Sequence, residues 1–289
     1  MKHYWKLILS MLIWGTLPLV VRPVTLPSAQ IVVYRIGFGF LFLAIAFAIR
    51  RKPIDRRALR RALPRLLLSG AAMGGNWVAL FEAYRFVDVS IATLAYYCAP
   101  IIVITVSAFV YREGMSFKKL LCIAASLVGV VLVTQTAMGG SDPLRGVLCG
   151  LLSAALYATV TLINKSVSGV DDMASTLLQL LGAGLVILPY ALLTSPLPWT
   201  NPSSSQWLCL VVLGLVHTGL ALTLYFSAVR ALPAQACALC SYIDPVSALV
   251  FAAVFLGETM SIVQVLGAVL IIGGAAFGSV LCSVKPSVD

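Results

Sequence analysis

Ten apolar runs alternate with short polar breaks along this chain, at residues 4–21, 28–49, 66–86, 90–111, 117–136, 146–165, 174–194, 206–229, 234–256 and 262–281. A backbone in lipid finds no water to bond. A run of about 20 apolar residues therefore closes its own hydrogen bonds as a helix that spans the bilayer. Turn residues fill the breaks: Arg22-Pro23, Ser141-Asp142-Pro143, and a stretch over 195–205 with three prolines. The pattern predicts an all-α integral membrane protein of ten transmembrane helices. The first run lacks a small-residue cleavage site and is followed by Arg22, so it reads as a span and not as a signal peptide.

Composition sharpens this picture. Of 289 residues, 61% are hydrophobic and 10% charged, with a mean hydropathy of +1.02. Soluble domains carry about 25% charged residues, so the spans and their loops account for the whole chain. The basic residues set orientation. With the N-terminus in the cytoplasm, 16 of the 20 Lys and Arg lie inside, while Arg22, Arg85 and Arg145 lie outside and Arg35 sits within a span. Both termini are then cytoplasmic, in the cell (plasma or inner) membrane. The basic stretch 50–65 has the charge to meet nucleic acid or acidic lipid, but fixing topology accounts for it, and no nucleic-acid partner is predicted. The seven cysteines lie in apolar runs or, for Cys282, at the edge of one, and the Cys237/Cys240 pair reads as small packing residues. HExxH, GxSxG and Walker patterns are missing, and His3 and His217 are too few for a multi-His metal site. No cofactor or metal is predicted, and nothing specifies an oligomer.

The chain also contains a duplication. At a shift of 145, residues 81–131 match 226–276 at 12 of 51 positions without a gap. Arg85/Arg230, Tyr97/Tyr242, Pro100/Pro245 and Glu113/Glu258 are among them, and apolar bias does not supply matches of that kind. At a shift of 143, Ser10 and Trp14 align with Ser153 and Tyr157. Five spans per half is an odd number, so the second half enters the membrane the other way up. Inverted repeats mark secondary transporters, whose substrate lies near the midplane between the halves.

The segments FEAYRF (81–86), YYCAP (96–100) and YREGMS (111–116), with their counterparts FSAVRALPAQ (226–235), SYIDP (241–245) and FLGETMS (255–261), carry a resemblance, as does LIWGT (12–16). They resemble the EamA family of the drug/metabolite transporter superfamily, and the likeness covers nearly the whole chain. It implies two five-helix repeats, 1–136 and 146–289, the second with a short cytoplasmic tail, joined by an external linker at 137–145. It implies a central cavity lined by the first, third, fourth, sixth, eighth and ninth spans, and export of a small metabolite. The first half departs from the pattern, with Arg112-Glu113 where the second has Gly257-Glu258.

Polar residues at membrane depth are the candidate site. A charge at the bilayer centre costs about 2.5–3.5 kcal/mol on insertion scales, so each needs a partner, water or a function. Asp244 is the main candidate coupling group, because its repeat mate is Ala99 and symmetry does not demand it. The rival reading has it cap backbone freed by Pro245. Glu82 is a second coupling candidate, although Arg85 one turn on can neutralise it. Arg35 can pair with Glu82 or Asp244, or snorkel outward. On the sixth span Ser153, Tyr157, Thr161 and Asn164 recur on one face. Tyr157, Asn164, Tyr242 and Asp244 are expected to border one cavity. The substrate-binding set is Trp14, Asn76, Trp77, Tyr97, Tyr157, Asn164, His217, Tyr225, Ser241 and Tyr242. A carboxylate among aromatic rings favours a cationic or zwitterionic, amino acid-like solute, with protons as the candidate coupling ion. The competing classes are a membrane-embedded enzyme and a non-transporting receptor or scaffold.

Overall fold

The computed structural model describes residues 3–50, 55–110, 117–135, 142–167, 169–195, 199, 201–229, 240 and 242–283. Among the described residues every regular element is helical. In chain order they are α1 (Tyr4–Gly15), α2 (Leu17–Val21), α3 (Ser28–Arg50), α4 (Arg56–Phe86), α5 (Val89–Tyr96), α6 (Ala99–Val110), α7 (Phe117–Gln135), α8 (Pro143–Lys165), α9 (Asp172–Thr194), α10 (Ser204–Val212), a π-helical segment (Leu213–Leu220), α11 (Ala221–Val229), α12 (Ile243–Leu256) and α13 (Ile262–Ser283).

Among the described residues five stretches are long and apolar enough to cross a bilayer: Tyr4–Val21, Ser28–Arg50, Pro143–Asn164, Asp172–Thr194 and Ser204–Tyr225. Shorter apolar helices accompany them. Their outward faces are apolar, as at Leu193, Phe117 and Ile262, each at least 79% exposed. Such a surface suits hydrocarbon and not water.

Two expected elements differ. The basic stretch does not remain a loop up to Arg65, because α4 begins at Arg56. Asp55 caps it by accepting from the Arg57 and Ala58 amides at 2.9 and 3.1 Å. Pro64 then sits inside the helix. The expected span 90–111 is broken at Tyr97-Cys98 into α5 and α6. Pro100 is the second residue of α6, where its missing amide costs no helical bond. In the second half Pro245 occupies the first turn of α12, for the same reason.

Packing joins the two halves of the sequence. Helix α4 lies along α8 and α9, α1 along α11 and α12, α3 against α9 and the π segment, and α13 along α7. Small residues permit close crossings. A Cβ on Gly70 would fall 2.0 Å from the Gln179 carbonyl oxygen, and one on Gly74 would fall 2.6 Å from Ile187. This GxxxG pair therefore serves an internal contact of α4 with α9.

Candidate functional site

The two helix breaks bring their tyrosines and carboxylate together. Tyr97 ends α5, Asp244 lies in the first turn of α12, and the Tyr97 hydroxyl donates to Asp244 Oδ2. An acid suits this position, since the helix N-terminus favours negative charge. Asp244 lies near the middle of the apolar run 234–256 but stands at a helix start. Among the described residues the Asp244 side chain bonds Tyr97, not backbone near Pro245. Aromatic contacts extend the cluster. The Tyr96 ring lies 5.2 Å from Tyr97 and 5.6 Å from Tyr157, centroid to centroid and edge to face. Tyr157 remains 43% exposed. So Asp244, Tyr97, Tyr96 and Tyr157 form one connected group from α5, α8 and α12.

Arg35, on α3, is a second polar group at membrane depth. It is 4% exposed, and its guanidinium lies 4.0 Å over the Trp77 ring and 5.7 Å from Phe81. Its Nε donates to Thr218 Oγ1 at 3.0 Å, while Nη1 has no hydrogen-bond partner. It pairs with neither Glu82 nor Asp244, the two partners the sequence offered, and it does not snorkel. A desolvated cation–π contact returns about 2 kcal/mol against an insertion cost of about 2.5–3.5 kcal/mol. The charge is thus tolerated, with one edge of its fork unused.

The remaining candidates are engaged elsewhere. Asn76 Nδ2 donates to the Ser153 carbonyl and hydroxyl, both at 2.8 Å, and Ser153 Oγ donates back to the Asn76 carbonyl at 3.1 Å. This is a closed, buried lock of α4 on α8. Asn164 Oδ1 accepts from Ser69 at 3.1 Å and Gln179 at 2.6 Å, which ties α4, α8 and α9. Tyr242 packs with Ile101, Ile123 and Ala275. Asn164 thus ties three helices, and Tyr242 packs on α6 and α13. Trp14 Nε1 donates to the His217 carbonyl at 2.8 Å, and its ring meets Tyr225 at 5.3 Å. His217 is buried, with Nε2 3.1 Å from Thr16 Oγ1 and Nδ1 3.3 Å from the Val212 carbonyl. Glu82 accepts from Ser28 at 2.8 Å and from Arg85 at 3.4 Å, joining α3 to α4. Ser241 lies outside the described residues.

A second polar cluster was not foreseen. Gly257 ends α12 with φ +68°, a left-handed conformation that glycine adopts without steric cost. The turn swings Glu258 back onto the start of α5. Its carboxylate accepts from the Val89 amide at 2.9 Å, the Ser90 amide at 3.0 Å and the Ser90 hydroxyl at 2.8 Å, and it also pairs with Arg22. Asp88, at the same helix start, lies 4.0 Å from Arg22. Its pKa is raised by desolvation and by the Glu258 charge, which Arg22 opposes. The Gly-Glu pair thus caps a helix of the other half. In the sequence its local signal is the Gly257-Glu258 pair. Tyr96 also went unnamed as a candidate, although its place before a proline-linked break marked it.

The EamA-like transporter family model matches this chain over residues 1–135 and 144–280. An uncharacterized transporter of Bacillus subtilis, YxxF, is 28% identical over 277 residues, covering 94% of this chain and 87% of that protein. A probable amino-acid metabolite efflux pump of Salmonella typhimurium is 26% identical, covering 82% of each chain. One crystal structure shares the fold with a TM-score of 0.68 at 20% identity, covering 97% of this chain and 98% of its own.

Proposed function

We propose, from the premise that this chain belongs to the EamA-like transporter family and is a multi-pass helical membrane protein, that it is a secondary transporter of a small organic solute. It works by alternating access between two inverted five-helix halves, 1–136 and 146–289, and it exports from the cytoplasm. The connected group Asp244, Tyr97, Tyr96 and Tyr157 is its substrate and coupling site.

Contacts on a pseudo-twofold axis support the two-repeat arrangement. Under such an axis, a contact between two residues recurs between their mates, and a residue on the axis touches its own mate. Ser126 Oγ donates to the carbonyl of Ile271 at 3.4 Å, a residue and its mate at the 145 shift. A Cβ on Gly129 would meet Gly267 O at 2.7 Å and Ile271 Cγ1 at 2.8 Å. One on its mate Gly274 would meet Cys122 O at 2.8 Å and Ser126 Oγ at 2.3 Å, the mates of those partners.

The observation that carries the site is a half-buried carboxylate at a helix start, bonded to one tyrosine hydroxyl. It retains acceptor capacity for a proton or an ammonium group. Tyr97, Tyr96 and Tyr157 supply rings suited to a cationic or zwitterionic solute, and the efflux pump of Salmonella is named for amino-acid metabolites. Exchange of a proton for the ammonium group at Asp244 couples the two fluxes. Among the described residues the titratable groups in its field are Tyr84, Tyr96, Tyr97 and Tyr157.

The test is flux into proteoliposomes with labelled amino acids, with the protein purified as wild type and as Asp244→Asn. Saturable, pH-dependent flux is expected of the wild type, and a membrane enzyme or scaffold would show none. Asp244→Asn should fold and lose the pH dependence, and Asp244→Glu should keep part of it. A pH–flux curve for Asp244→Asn that overlays the wild type rejects the coupling role.

A further inference from the structure

We infer that Arg35 is an anion-binding subsite that takes a carboxylate of the transported solute, so that the cargo is a zwitterion held between Arg35 and Asp244. The inference rests on the reading of the Asp244 group as the substrate site.

The guanidinium carries five N–H donors in a planar fork that matches a carboxylate. Here one of them is spent, by Nε on Thr218. That bond and the Trp77 ring at 4.0 Å fix the plane of the group, so little freedom remains to be lost when an anion docks. Nη1 is buried and unpartnered. Arg35 lies seven residues into α3, about 10 Å along the helix, too deep for its stem to be resting at a surface. Among the described residues none of the ion pairs includes it. Asp55, Asp142 and Asp171 cap helices, Glu82 meets Arg85, and Glu258 meets Arg22 and α5. A purely structural residue in this pocket would serve better as an apolar side chain of similar volume, which needs no counter-charge.

Arg35 and Asp244 are bonded to different neutral partners, Thr218 and Tyr97. Each therefore keeps capacity for one end of a solute bearing both charges. The solute's ammonium goes to Asp244, its carboxylate to the Arg35 fork, and its side chain against the rings.

The experiment uses the full chain in detergent and reads thermal stabilisation by phenylalanine and leucine, by their amides, and by the matching acids that lack the amine. The wild type should respond most to the amino acids. Arg35→Gln should melt no lower than wild type without ligand. It should bind the amino acids and the acids about tenfold more weakly while its response to the amides is unchanged. Asp244→Asn should show the opposite selection. Arg35→Lys keeps the charge without the fork and should fall between. If Arg35→Gln does not fold, the contrast between amide and amino acid on the wild type and on Arg35→Lys decides. Equal responses to amide and amino acid, an undiminished acid response in Arg35→Gln, or no wild-type response to any carboxylate probe would overturn the inference. Flux from the same preparations separates it from the transporter reading. Carboxylate-dependent binding without flux removes the transporter and keeps the subsite. Flux indifferent to the carboxylate removes the subsite and keeps the transporter.

Discussion

Glu258 and Asp244 are carboxylates at opposite ends of α12, and the protein treats them differently. Glu258 accepts from two amides and a hydroxyl and pairs with an arginine. Asp244 accepts from Tyr97 among the described residues. The first is saturated, and nothing is left for a ligand. The second has lone pairs to offer. Sequence symmetry divides the same way, since Glu258 has the mate Glu113 while Asp244 has Ala99. A group repeated in both halves suits a task that the architecture poses twice. A group present once suits the asymmetric task of handling a solute.

The largest effect that sharpens this contrast is expected from Glu258→Ala. It strips two α5 amides, the Ser90 hydroxyl and Arg22 of their acceptor, and each part-buried donor left unsatisfied costs about 1–3 kcal/mol. Thermal unfolding in detergent should show a large drop. Equal melting of Glu258→Ala and wild type would erase the distinction. Next is Asn76→Ala, which opens the α4–α8 lock. Interhelical bonds in membranes are worth about 1 kcal/mol, so melting should fall modestly while saturable flux persists. A loss of flux without a loss of stability would move Asn76 into the solute site. Asp244→Asn should change unfolding by less than about 1 kcal/mol, because the amide oxygen can still accept from Tyr97. A drop as large as that of Glu258→Ala would make it structural. The smallest effect belongs to Asp88→Asn. Its folded-state pKa is raised by desolvation and by Glu258, so ionising it costs stability as pH rises above the ordinary aspartate range. The substitution should therefore stabilise at neutral pH and not in acid. Partial exposure and screening hold the gain to a few tenths of a kcal/mol. Unfolding of the two proteins across pH checks the sign.

The contrast also shows what the sequence made legible. The helical fold was readable because lipid leaves the backbone no other solution, and hydropathy records that requirement residue by residue. The early start of α4 was obscured by the arginines at 56, 57, 60 and 61, although Asp55 supplied a cap signal. The site was legible only in its chemistry. Asn76 and Asp244 look alike in a sequence, each a polar side chain in an apolar run. What separates them is whether a partner arrives from elsewhere. Ser153, 77 residues on, closes the bonding of Asn76, whereas Tyr97, 147 residues back, leaves that of Asp244 open. Glu258 was hidden for the same reason, its partners lying 168 and 169 residues away.

The π-helical segment Leu213–Leu220 has a consequence for chain length. Wide turns of this kind hold one residue more than an α-helix would over the same rise. In the phase of the rod that amounts to a slip of about 100°, so α10 and α11 present faces that a continuous α-helix could not present together. Thr218 bonds the carbonyl five residues back and receives Arg35, while the His217 carbonyl receives Trp14. Deleting a single residue within 213–216 would let the rod wind as an ordinary helix while α11 keeps its faces. Winding the full-length segment as an α-helix would instead turn every side chain beyond it by that same angle, and the seat of Arg35 would rotate away with no polar group having been replaced.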